Sequence, residues 1–261
     1  MPAGSLIKRK EGRFPWFLMA TLLPVLVMPF SSTSGNLIQR SILPIAFNVL
    51  VVQCLRIMPT QHGPLLGLQT HKTSAGPGEL QLLAPEWLYR GLACGSAVLS
   101  WIPFVAGQYT HQEWHGWILG VICSFFGLTA VRIVQLLAQL EGVNLRSLCL
   151  GAAGYVHLGL TAGQISTFIQ VIAPSSFSVG SMLPGEELIE RLTYYSFITL
   201  GSIGYGDVVP KTPHAEFFAV CLSITGTLYV SLMIGLLLSR YINDQSLLIE
   251  DEAKSNKQLK R

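Results

Sequence analysis

An all-α membrane protein is the fold class this sequence predicts, and three observations predict it. Half the residues are hydrophobic and only 12% are charged, against about 25% charged in an ordinary soluble domain. Six apolar stretches, 14–30, 42–58, 87–106, 116–140, 148–172 and 217–242, approach the roughly 17 to 25 residues that a helix needs to cross a bilayer. A further stretch, 188–200, is too short to span. Such a segment is tolerated at membrane depth only where protein or water surrounds it, as a re-entrant helix.

Charge sets the orientation, because cytoplasmic loops carry an excess of Lys and Arg. Lys8, Arg9, Lys10 and Arg13 precede the first span, while residues 107–115 after the third hold no basic residue. Six spans then return both termini to the cytoplasm, and Lys254, Lys257, Lys260 and Arg261 agree. The expected localisation is a multi-pass integral protein of the plasma membrane. A cleaved signal peptide over residues 8–30 is the rival reading, but no A-x-A-like site follows it at once and its loss would spoil the parity.

Residues 61–85, rich in Gly and Pro and carrying His62, His71 and Lys72, read as a flexible cytoplasmic connection. The fourth span holds one charge, Arg132, with Glu141 and Arg146 near or beyond its inner end. One charge crossing the whole field is worth about 2.3 kcal/mol per 100 mV, far less than steep voltage gating needs. In the fifth span, Gly159-Leu160-Thr161-Ala162-Gly163 is a small-residue run suited to close helix contact, and His157 reads as a hydrogen-bonded packing residue.

Glu186 and Glu187 open the re-entrant helix, where the positive dipole end favours them and where they would gather cations. Tyr194 and Tyr195 have hydroxyls able to brace the segment that follows. The last span holds Gly226 and, further along, Gly235, and glycine in a membrane helix suits close packing. Ser223 and Thr225 can line a cavity or bond their own helix.

Cys54, Cys94, Cys123, Cys149 and Cys221 fall singly within apolar stretches, which argues against a disulfide framework or zinc cage. His111, Glu113 and His115 form a compact group, but their order is not that of a zinc protease. No span supplies a converging nucleophile, base and metal set, so an enzyme is not expected. No cofactor and no nucleic-acid partner are expected either.

Between the re-entrant helix and the last span lies Ser202-Ile203-Gly204-Tyr205-Gly206-Asp207, and the wider string reads SFITLGSIGYGDVVP. This resembles the pore module of the potassium-channel family, whose usual string is close to S-F-x-T-L-T-T-V-G-Y-G-D-x-x-P. The resemblance extends over about residues 145–242 and is nearest to six-transmembrane, single-pore-loop channels of bacterial or cyanobacterial type. It implies a selectivity filter in which carbonyls of Ser202, Ile203, Gly204 and Tyr205 replace the water shell of K⁺, with the Ser202 hydroxyl as a further oxygen. Gly204 and Gly206 supply backbone angles that residues with a Cβ adopt poorly.

Further implications of the resemblance are filter support from Asp207, Tyr194, Tyr195 and Thr199, a gating hinge at Gly226 of the last span as the alternative to its close packing, and K⁺ as permeant ion with no other metal. With one filter motif and no internal repeat, the resemblance also implies a homotetramer with lipid around it. The implied organisation is a four-helix transmembrane domain over 1–143 with voltage-sensor-like topology but without its charges. A pore domain over 144–242 and a short cytoplasmic tail over 243–261 follow, the latter leaving any soluble sensor to a separate protein. The sequence departs from the family at Gly201 and Ser202, both usually Thr, and at Ile203, usually Val. Gly201 leaves two alternatives to a selective potassium channel open: a weakly selective cation channel, and a non-conducting regulatory subunit.

Overall fold

A computed structural model describes residues 11–30, 37–57, 85–102, 112–138, 145–181 and 188–259. The helices are α1 (Phe14–Val27), α2 (Leu37–Ile57), α3 (Glu86–Leu99), α4 (Gln112–Ala138), α5 (Leu145–Ile172), α6 (Leu188–Leu200) and α7 (Pro213–Leu259). Short 3₁₀ turns, Glu11–Arg13 and Met28–Phe30, flank α1. Two short strands, β1 (Phe177–Ser178) and β2 (Val209–Pro210), pair antiparallel with Phe177 opposite Pro210 and Ser178 opposite Val209.

Among the described residues, two helices are long and apolar enough to cross a membrane, Gly116–Ala138 and Pro213–Gly235. Phe14–Phe30 and Ser41–Ile57 are apolar but shorter. The other two expected spans are helical as well, one short over its described residues and one diluted by polar side chains. Helix α3 has 14 residues, about 21 Å at 1.5 Å per residue, and ends in a turn at Ser100 and Trp101. Helix α5 is 28 residues long, but His157, Thr161, Gln164, Ser166 and Thr167 dilute its hydropathy, and all five are buried against other helices.

Helix α5 is the hub, with α1, α4 and α6 packed along it and α7 across it. Glycines permit this crowding. A Cβ on Gly154 would collide with both Ile133 of α4 and the Tyr229 hydroxyl of α7, and Tyr229 donates to the Gly151 carbonyl at 2.8 Å. One large apolar core joins Phe14 and Phe17 of α1, Leu50 and Cys54 of α2, Phe125, Phe126 and Ile133 of α4, and Leu150 and Leu160 of α5.

In the first four helices the buried hydroxyls of Thr21, Ser96 and Thr129 each donate to a carbonyl of their own helix, as low-dielectric surroundings demand. Asn48 donates to the Pro44 carbonyl at 2.8 Å, one turn back on its own helix, and to Ser100 Oγ at 3.1 Å, which ties α2 to the end of α3. The guanidinium of Arg132 lies 3.9 Å above the Tyr89 ring, and Tyr89 Oη meets Thr129 Oγ1 at 3.1 Å. The one charge of the fourth span is thus packed between α3 and α4, 5% exposed. His157 stacks on Phe126 with centroids 5.1 Å apart and places Nε2 3.2 Å from the Phe126 carbonyl.

Beyond residue 242 the chain continues as helix to Leu259, so α7 is one helix of 47 residues that runs on from the expected span into the expected tail. The reason is local: residues 243–259 hold no Gly or Pro and are rich in Leu, Glu, Gln and Lys, with Glu250 four residues before Lys254. Glu186, Glu187, the 61–84 connection, Glu141, Lys8 to Lys10 and His111 lie outside the described residues, as do the side chains of Glu113, His115 and Arg146. The five cysteines are free.

Candidate functional site

Helix α6 is seated in a groove of α5 lined by small residues. A Cβ on Gly159 would overlap the Phe197 ring and one on Gly163 would overlap Thr193, so only glycine admits α6 at this distance. Ser166 and Ser196 exchange a hydrogen bond at 3.1 Å in the buried seam. On its other side, the carbonyl of Leu200 at the C-terminal end of α6 abuts Gly226 of α7. Gly226 is therefore a close-packing position, and α7 is unbroken there. The Thr225 hydroxyl bonds its own helix at the Cys221 carbonyl, 2.7 Å away.

The segment after α6 begins tied to the helix it leaves. Gly201 N–H donates to Phe197 O at 2.9 Å, Ser202 N–H to Thr199 O at 3.0 Å, and Ile203 N–H to Ile198 O at 2.9 Å. Its far end is fixed by the β1–β2 pair, with Lys211 N–H donating to Ser176 O at 2.7 Å and Phe177 N–H to Gln170 Oε1 at 2.7 Å. Beneath lies a second apolar cluster of Phe177, Leu192, Tyr195, Val208 and Ala215. Residues 201–207 are suspended between these anchors, and all are exposed.

The backbone of that loop alternates. Ser202, Gly204 and Gly206 have φ of 56°, 59° and 79°, while Ile203 and Tyr205 are not in the positive region. In an ordinary strand successive carbonyls point to opposite sides. Reversing the sign of φ at every second residue rotates alternate peptide units, so successive carbonyls share one side. Glycine adopts positive φ freely, whereas serine does so at a cost of about 1–2 kcal/mol. The strain at Ser202 was not read from the sequence, since nothing marks a serine for the left-handed region.

Asp207 leaves the loop toward α6. Its Oδ2 lies 3.4 Å from Arg191 Nη2, and the Tyr194 hydroxyl faces its carboxylate. Arg191 also donates from Nε to the Val179 carbonyl at 3.2 Å and lies 5.5 Å from the Tyr194 ring centroid. It joins α6, the strand region before it and the loop's exit. Sequence reasoning passed over Arg191. A basic residue three positions before a predicted brace, on the same helical face, was the available signal. The Tyr195 hydroxyl is directed at Thr199, one turn on, without reaching hydrogen-bond geometry, and is buried with no hydrogen-bond partner among the described residues.

Much of α7 is bare. Phe217, Val220, Ile224, Leu228, Leu232 and Ile234 are all more than half exposed, as are Ile203 and Tyr205 of the loop. A row this apolar is not stable against water.

Residues 154–243 match the model of a family described as an ion channel. The match covers about a third of the chain, running from the middle of α5 through α6 and the alternating loop into α7. Comparison with curated proteins and with solved structures finds no match. Together with the two apolar helices, the match supports an ion-channel domain, with passive ion conduction, in a membrane protein.

Proposed function

We propose that this ion-channel domain forms a potassium-selective pore, built by four copies of the chain around one axis, through which K⁺ flows passively. The observation that carries the reading is the alternating φ of Ser202, Gly204 and Gly206, held between the end of α6 and the β1–β2 pair. A stack of carbonyls on one side of a loop can replace the hydration shell of an alkali cation only when several loops surround it. One chain offers a quarter of such a ring.

The exposure of Ile203, Tyr205 and the apolar row of α7 supports further copies covering these surfaces, as does the buried Tyr195 hydroxyl without a hydrogen-bond partner among the described residues. Carbonyls of Ser202, Ile203, Gly204 and Tyr205 would ligate the ion, with Gly206 completing the turn outward and Asp207, Tyr194, Tyr195 and Thr199 behind. The C-terminal end of α6 carries partial negative charge and would favour a cation in the cavity below. Six spans with both termini cytoplasmic, in the plasma membrane, complete the reading. Residues 1–143 would pack as a collar on α5, and Gly226 would act as packing contact before hinge.

A weakly selective pore is the second reading, favoured by the missing side chain at Gly201. The test is reconstitution of the purified chain in liposomes with K⁺ and Na⁺ flux compared. Flux of K⁺ well above Na⁺ supports the proposal, parallel flux favours the leaky pore, and absent flux with intact tetramers favours a silent subunit.

A further inference from the structure

We propose that Arg13, Trp16, Gln53 and Arg56 form a binding site for the phosphate headgroup of an anionic phospholipid, in the leaflet on the side of the N-terminus. Arg13 immediately precedes α1 and Arg56 lies in the last turn of α2. Because α1 and α2 pack against each other, Arg13 and Arg56 come together at one end of the pair. There, with Trp16 and Gln53, they line an open-mouthed cavity of about 600 Å³, a volume suited to a small-molecule group.

Arg13 Nη1 donates to the Arg56 carbonyl at 3.2 Å, which fixes one cation over the other's backbone. Among the described residues neither guanidinium has a carboxylate partner. Two neighbouring cations repel each other, and a phosphate relieves that repulsion while accepting paired hydrogen bonds from a guanidinium fork. Gln53 adds a neutral amide donor. Lys8, Arg9 and Lys10 stand just ahead in the sequence, and a juxtamembrane basic run is itself drawn to anionic lipid.

A lipid is favoured over a soluble phosphate by what adjoins the cavity. Along α2, Ile45, Val49 and Val52 are 48%, 39% and 45% exposed. With Arg56 they follow the i, i+4, i+7, i+11 spacing of one helical face. That stripe runs about 16 Å from Ile45 to Arg56, close to half of the roughly 30 Å hydrocarbon core, so an acyl chain can lie on it while the phosphate reaches the arginines. Trp16, 69% exposed beside the cavity, is a side chain that prefers the headgroup level. The inference rests on α1 and α2 lying in a bilayer, not on which ion the pore passes.

The experiment is native mass spectrometry of the full-length detergent-solubilised chain with phosphatidylglycerol, with phosphatidylcholine, and with glycerol 3-phosphate added separately. Phosphatidylglycerol is expected to be retained about tenfold or more over phosphatidylcholine, and the double change Arg13→Gln with Arg56→Gln to remove that preference. Glycerol 3-phosphate at equal concentration is expected not to compete. Equal retention of the two lipids by the native chain, or an undiminished preference in the double variant, overturns the proposal. Full competition by glycerol 3-phosphate overturns the lipid as ligand in favour of a soluble phosphate. Should the glutamine pair not fold, Arg13→Lys with Arg56→Lys keeps the charge but loses the fork, and is expected to weaken the preference without abolishing it. Ion flux enters none of these readings, so their failure is separate from failure of the pore.

Discussion

The side chain of Ile203 lies beside Gly201: its Cδ1 and Cγ1 are 3.6 and 3.7 Å, ordinary contact distance, from where a Cβ on Gly201 would sit. Two of the three positions at which the chain departs from the potassium-channel string are therefore neighbours. One has no side chain where the string has Thr, and the other has one methylene more than Val. Gly201→Thr would also bring its Cβ to 3.2 Å from the Phe197 carbonyl, tighter than the loop easily accepts. Gly201→Thr alone is expected to lower thermal stability, and Gly201→Thr with Ile203→Val to recover part of it, with a coupling of about 1 kcal/mol. Melting of the four proteins of the cycle checks this, and strict additivity would count against compensation.

Arg191 holds Asp207 and the Val179 carbonyl together. The pair is partly exposed, so its direct contribution to stability is about 1 kcal/mol or less. Its larger effect falls on the loop it orders. Arg191→Gln is expected to shift melting little and to reduce the ratio of K⁺ to Na⁺ flux, with Arg191→Lys intermediate. A large loss of melting temperature with an unchanged flux ratio would mark Arg191 as structural only.

Gly226 meets the Leu200 carbonyl with no room for a Cβ. Gly226→Ala is expected to push α7 off the end of α6 and cost about 1–3 kcal/mol by overpacking, read as a lowered melting temperature. A hinge role predicts instead a nearly unchanged melt with altered open probability.

Gly204 differs in kind, since a Cβ there meets nothing within the chain and only its φ of 59° resists substitution. Gly204→Ala is expected to abolish selective K⁺ flux in liposomes while oligomers form as before. Unchanged K⁺ over Na⁺ permeability would contradict the proposed filter.

Arg132 is stacked on Tyr89 and buried. Arg132→Gln is expected to cost about 1–2 kcal/mol through the lost cation–π contact and to leave the voltage dependence of conduction as shallow as in the native chain. A marked change in that dependence across a voltage series in planar bilayers would show that Arg132 moves in the field.

Composition and apolar runs were enough to mark a mostly helical membrane chain, because a bilayer imposes length and polarity on each crossing segment whatever it packs against. The glycines at positions 204 and 206 were legible for a similar reason: glycine alone adopts positive φ without cost. Helix α7's extension past residue 242 was missed because a hydropathy reading stops where polarity begins, although helix propensity does not. Only the tertiary structure decided what depends on distance between remote residues: Ser202 held at positive φ by the loop's two anchors, Arg191 reaching Asp207, Ile203 lying beside Gly201, and Arg13 meeting Arg56 across two helices. Pattern along a chain encodes which face is apolar and which angle is open. It does not encode which side chains from separate elements arrive at the same point, because close packing over the whole molecule fixes that.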